Sequence, residues 1–138
     1  MIFKYETTVK LYDTDAAGLI FFGHQFRIAH DAYQAYLESC GFSFGRVLDE
    51  GEMLIPIVHA EADYLEPVAV GDRLIIELTA SRISTHSFVL RYDLRGPDNA
   101  LVGTVTSAHV TVSRVGQAKL ELPTDLRTAL EKIYVPRD

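Results

Sequence analysis

Two aspartates two residues apart, Asp13 and Asp15, stand before Ala16-Ala17-Gly18, then four large apolar residues, Leu19-Ile20-Phe21-Phe22, then Gly23. Apolar side chains crowded beside an acid in a loop would partly desolvate the carboxylate and tune its basicity. If a helix begins directly afterwards, the N–H groups of its first turn lack intrahelical acceptors and point towards the same place. A carboxylate facing such donors holds the two parts that acyl transfer needs. One attacks or activates water, and the other receives the developing oxyanion. The same spacing also fits an Asx turn or a helix cap with no chemistry at all, because aspartate is common in such turns.

The elements around this segment decide what it can do. Phe3, Tyr5, Thr7, Val9 and Leu11 alternate with mostly polar residues, the period of a half-buried strand. Residues 13–23, with two glycines and two aspartates, interrupt that strand. From about His24 to Cys40 the period changes: Phe26, Ala29, Tyr33, Tyr36, Leu37 and Cys40 recur at three- and four-residue steps, as on a helix with one buried stripe. Gly41 stands where a left-handed helix cap is expected, and Cys40, at the end of the stripe, reads as a small buried hydrophobe. Residues 42–52 read as a loop with a short helical turn. Strands are then expected over 53–64, 73–79, 87–94 and 101–113, with Pro56 at a strand start or edge and turn signals at Val70-Gly71-Asp72 and Gly96-Pro97-Asp98-Asn99. Pro123-Thr124 opens a short terminal helix with Leu126, Ala129, Leu130 and Ile133 on one face. The order is that of an α+β domain, one long helix against an antiparallel sheet, and residues 1–138 make one domain. One helix cannot cover both faces of such a sheet, so association is expected, by packing of helices or by joining of sheet edges.

Composition removes several classes. The 138 residues carry a net charge of −6, which argues against a nucleic-acid backbone as main partner. A single cysteine forbids an intrachain disulfide and fits a reducing compartment. No segment reads as a signal peptide or reaches the ~18 apolar residues of a spanning helix, so a cytoplasmic protein without membrane insertion is expected. The five histidines are scattered without ligand spacing, so no metal site is expected. There is no Gly-x-Ser-x-Gly elbow and no glycine-rich phosphate loop after a strand.

The run Asp13-Thr14-Asp15-Ala16-Ala17-Gly18-Leu19-Ile20-Phe21-Phe22 resembles the signature of the 4-hydroxybenzoyl-CoA thioesterase family, and the order of elements agrees from about Thr8 to Ser113. The resemblance implies a hot-dog fold, in which an antiparallel sheet of about five strands wraps one long helix. It places catalysis on the second aspartate, Asp15, as nucleophile or as general base towards water. It places the amide that polarises the thioester carbonyl on Phe22 or its neighbour Gly23. It also implies a homo-oligomer, a dimer at least and a tetramer in full.

Leu11-Tyr12-Asp13-Thr14-Asp15, His30-Asp31-Ala32-Tyr33, Ile55-Pro56-Ile57-Val58-His59-Ala60 and Gly71-Asp72-Arg73-Leu74 further resemble the 1,4-dihydroxy-2-naphthoyl-CoA thioesterases of phylloquinone and menaquinone synthesis. In the 4-hydroxybenzoyl enzymes an acidic helix residue contacts the substrate phenol. Here His30 holds that position, and an imidazole can still hydrogen-bond an aromatic hydroxyl. His24, Tyr33 and His59 join His30 as expected substrate contacts, although His24 also fits a solvated helix end and His59 a core position. Arg82-Ile83-Ser84-Thr85-His86-Ser87 is a polar turn between strands with one cation, hydroxyl donors and an imidazole. In related thioesterases this turn binds the nucleotide phosphates, so Arg82, Ser84, Thr85, His86 and Ser87 are the coenzyme candidates, with Arg91 and Arg114 as further phosphate partners. A charged hairpin in solvent is the plain alternative. Coenzyme A would be part of the substrate, and no separate cofactor is expected. A broader aryl- or short-chain acyl-CoA thioesterase, a hot-dog dehydratase and a non-catalytic acyl-CoA-binding dimer are the competing functions.

Overall fold

The computed structural model describes residues 1–45, 47, 51–116 and 118–137. Strand β1 is Phe3–Thr8, helix α1 Phe22–Ser39, β2 Met53–Leu54, β3 Ile57–Tyr64, β4 Arg73–Ile83, β5 Ser87–Arg95, β6 Leu101–Val110, β7 Val112–Ser113 and helix α2 Thr124–Lys132. Five strands form one sheet in the order β1-β4-β5-β6-β3, antiparallel throughout, and β2 pairs separately with β7. The α+β layout matches expectation.

The sheet curls around α1 because its strands alternate. Leu74, Ile76, Leu78 and Ala80 of β4 and Phe88, Leu90, Tyr92 and Leu94 of β5 are buried on one face. Against them lies the helix stripe Ile28, Ala29, Ala32, Tyr33, Tyr36 and Leu37. On the opposite face the intervening residues form ion pairs, Glu77 with Arg95 at 3.2 Å and Arg91 with Asp93 at 3.0 Å. That face is polar and needs no apolar cover. Helix α2 closes the end of the barrel-like wrap: Leu126, Ala129 and Leu130 are buried, and Ala80 N–H donates to Ile133 O at 2.9 Å.

Several boundaries differ from the sequence pattern. β1 stops at Thr8, and Leu11–Asp13 forms a single 3-10 turn. The expected strand over 53–64 breaks at Pro56 into β2 and β3, because a proline cannot donate to the ladder. Cys40 is exposed, not buried: α1 ends at Ser39, and the chain turns off the stripe through Gly41 at φ 84°, as a left-handed cap requires. Of the expected helical turn in 42–52, Phe44, Gly45 and Val47 are helical, while 46 and 48–50 lie outside the described residues.

Candidate active site

The two aspartates have separate surroundings. Asp13 is fully buried, and its Oδ2 accepts the Lys10 N–H at 2.9 Å. Its Oδ1 pairs with the Arg27 guanidinium and lies 3.7 Å from His24 Nδ1. With these partners taken, Asp13 locks the loop to the first turns of α1. Asp15 is exposed; its Oδ1 accepts Ala17 N–H at 2.8 Å, and its Oδ2 accepts nothing among the described residues. The Asx turn foreseen as the alternative to chemistry is therefore present, and it fixes one oxygen while leaving the other available.

Backbone bonds hold this turn rigidly. Gly18 N–H donates to Asp15 O at 3.0 Å, Asp15 N–H to Leu19 O at 2.8 Å, and Ile20 N–H to Val68 O at 2.8 Å. Gly18 has φ 76°, a left-handed conformation that costs glycine nothing. The turn delivers the chain straight into α1, whose N-cap is Phe21, so the Phe22 and Gly23 amides stand at the positive end of the helix.

Asp15, Leu19, Ile20, Phe21, Phe22, Gln25, Tyr64, Leu65 and Val68 line a cleft of about 490 Å³. The apolar residues do not cover Asp15 as expected, since Phe22 is itself 63% and Phe21 42% exposed. They project outward from a single chain, so any cover must come from another molecule. Two residues that the pattern does not single out shape this cleft. Tyr64 O–H donates to Phe22 O at 2.8 Å, tying β3 to the helix start. Gln25, 2% exposed, donates its Nε2 hydrogens to Asp63 O at 3.0 Å and Thr104 O at 3.1 Å. Gly103 makes room for it: a Cβ there would lie 2.7 Å from Gln25 Nε2.

The remaining expected contacts are dispersed. His30 is exposed on α1, one turn beyond the Asp15 cleft, and borders a second cavity. Tyr33 is buried, its ring 4.8 Å from His109 and its hydroxyl without a hydrogen-bond partner among the described residues; burial pushes that hydroxyl's pKa up. His24 is half-buried against Asp13 and the Phe21 ring. His59 is exposed on the open edge of β3, 3.9 Å from Glu61, and so is not a core histidine.

Arg82 and the turn Ser84-Thr85-His86-Ser87 join β4 to β5. Arg82 and Thr85 are exposed, while the turn's carbonyls take hydrogen bonds from Leu122 N–H at 3.0 Å, Thr111 N–H at 3.0 Å and Arg127 Nη2 at 2.7 Å. This turn lies at the far end of β4 from the Asp15 loop, about 33 Å away along an eleven-residue strand. One chain does not bring them together. Arg91 is engaged with Asp93, and Arg114 N–H donates to Glu52 O at 3.1 Å. Among the described residues no group of His, Cys, Asp and Glu has the arrangement of a metal site.

Residues 9–130 match the model of the thioesterase-like superfamily. A 1,4-dihydroxy-2-naphthoyl-CoA hydrolase from Synechocystis is 33% identical over 129 residues, 93% of this chain and 94% of that protein. One from Rippkaea orientalis is 38% identical over 111 residues, 79% of this chain and 80% of its own. The crystal structure of a 1,4-dihydroxy-2-naphthoyl-CoA thioesterase from Synechocystis superposes with a TM-score of 0.92 at 31% identity, covering 96% of this chain and 98% of that one. With a family match over most of its length and the same sheet wrapped on the same helix, the chain belongs to the thioesterase-like superfamily and has the hot-dog fold.

Proposed function

We propose that this chain hydrolyses an aromatic acyl-CoA thioester to the free acid and coenzyme A, with 1,4-dihydroxy-2-naphthoyl-CoA, a precursor in phylloquinone and menaquinone synthesis, as preferred substrate. The observation that carries the reading is Asp15, held by one oxygen and open at the other in the cleft at the α1 entrance. The names and the coverage of the hydrolases similar to this chain support the substrate. Asp15 acts on the thioester carbonyl carbon, directly as nucleophile or through a water from which it takes a proton. The carbonyl oxygen gathers negative charge facing the Phe22 and Gly23 amides, and the carbon–sulfur bond breaks with the coenzyme thiolate leaving.

A homodimer completes this site. β3 is a sheet edge with Val58 61% and Ile57 45% exposed, and an unpaired edge of this kind invites a second strand. Antiparallel pairing of two β3 edges reverses the second sheet. Its 84–87 turn then reaches the end where the first chain's Asp15 lies, about 15 Å away across three strand spacings. The coenzyme phosphates are in this arrangement held by the second copy, through Arg82, Ser84, Thr85, His86 and Ser87.

A panel of acyl-CoA thioesters, assayed for release of free thiol, tests the substrate. The naphthoyl thioester is expected to give the highest kcat/KM; a preference for aliphatic chains would defeat the narrower claim and leave a broad acyl-CoA thioesterase.

A further inference from the structure

One turn further along α1 than the Asp15 cleft, a separate cavity of about 340 Å³ lies between the helix and the sheet; Phe26 of its lining follows Gln25 of the cleft directly in α1. Its walls are mostly hydrocarbon, from Phe26, Ala29, Ile57, Ala60 and Val105, with Arg27 and His30 at the helix side. On the sheet side stand Tyr92 and Ser107, 1% and 5% exposed. Ser107 Oγ lies 3.0 Å from the Tyr92 hydroxyl and 2.8 Å from His109 Nε2. His109 is fully buried, its ring stacked on Phe88 at 4.6 Å and beside Tyr33 at 4.8 Å.

Counting valences shows what this chain of groups offers. A serine hydroxyl has one hydrogen and two lone pairs, three hydrogen-bonding positions in all. Tyr92 and His109 occupy two, whichever imidazole nitrogen carries the proton. One position remains, on an oxygen that borders a cavity whose sheet side is mostly hydrocarbon. Buried polar groups favour a matching partner, so the position suits a ligand that brings its own polar atom into hydrocarbon surroundings. A volume of 340 Å³ is at the lower end for small-molecule sites and accommodates a compact ring system.

We propose that Ser107 is a specificity-determining residue whose remaining hydrogen-bonding position meets a ring hydroxyl of an aromatic acyl group, with Tyr92 and His109 as positioning residues. Ser107 would thus distinguish hydroxylated rings from bare ones. The inference rests on the aryl-CoA hydrolase reading above and adds to it the residue that reads the ring. Burial pushes the Tyr92 hydroxyl's pKa up, against the Ser107 hydrogen bond, which keeps its proton in place to hold Ser107.

The test compares 1,4-dihydroxy-2-naphthoyl-CoA with 2-naphthoyl-CoA, which lacks the hydroxyls, in wild type, Ser107→Ala and Ser107→Thr. The ratio of kcat/KM values between the substrates should fall ~10-fold or more in Ser107→Ala and recover in Ser107→Thr. A ratio unchanged in Ser107→Ala overturns the proposal. Inhibition of the wild type by the two free acids needs no variant to fold. The hydroxylated acid should bind ~10-fold more tightly, a difference of about 1.4 kcal/mol, and equal inhibition overturns the proposal. Hydrolysis of neither thioester overturns the hydrolase reading and this inference together, whereas hydrolysis without discrimination overturns this inference alone.

Discussion

Asp13 and Asp15 are the same side chain in two opposite settings. Asp13 has spent both oxygens on Lys10 and Arg27 inside the protein, whereas Asp15 keeps one oxygen open at the surface of a cleft. Spacing alone could not separate them, because an Asx turn and a catalytic loop use the same residues; the resemblance selected Asp15, and of the two it is Asp15 that keeps an oxygen without a partner among the described residues. Other residues left no trace in the pattern. Gln25 bonds to Thr104, 79 positions away, and Ser107 meets Tyr92 only because β5 and β6 are neighbours. His109 sits in an ordinary alternating strand, yet burial, with His30 nearby, lowers its pKa from 6.5 to about 4. Between those values the unfolded chain binds a proton that the folded chain refuses. Stability is therefore complete above pH 6.5 and falls as pH drops towards 4, by at most about 3 kcal/mol. Urea midpoints of wild type and His109→Gln at pH 5 and 7 check this: the variant's midpoint should depend less on pH, and parallel behaviour would exclude His109 as the source.

At the scale of elements, the long periodic segments were legible and the short interruptions were not. Ala29, Tyr33, Tyr36 and Leu37 of the expected helix stripe are buried, Phe26 is half-buried, and Ile28 and Ala32, which the stripe did not include, are buried beside them. Pro56 and the turn at Leu11–Asp13 cut strands that hydrophobic pattern alone would have continued. Cys40 failed as a core residue because periodicity does not show where a helix stops. The exposure of β3 on nearly every residue follows from its place at the sheet edge, beyond the reach of α1. If this edge joins two copies, Val58→Lys should separate them, since an edge lysine opposes strand addition. Sedimentation is expected to show wild-type dimers or larger species and variant monomers at micromolar concentration. An unchanged assembly would move the interface elsewhere.

A single chain keeps the two halves of the proposed site apart. Its polar outer sheet face needs no cover, but the apolar residues around Asp15 are exposed, and the Arg82–Ser87 turn is a strand's length from the carboxylate. The proposed pairing of two chains would resolve both facts at once, and it is a feature that no pattern within one chain could reveal. The helix entrance and the cleft are the observations on which the proposed role of that carboxylate rests. The direct measurement is thioester hydrolysis by Asp15→Asn in an oligomer shown to be intact and equally heat-stable. A carboxylate acting as base or nucleophile predicts a fall in kcat of at least ~10²-fold with thermal stability preserved. Hydrolysis at the wild-type rate by the folded variant would contradict the account.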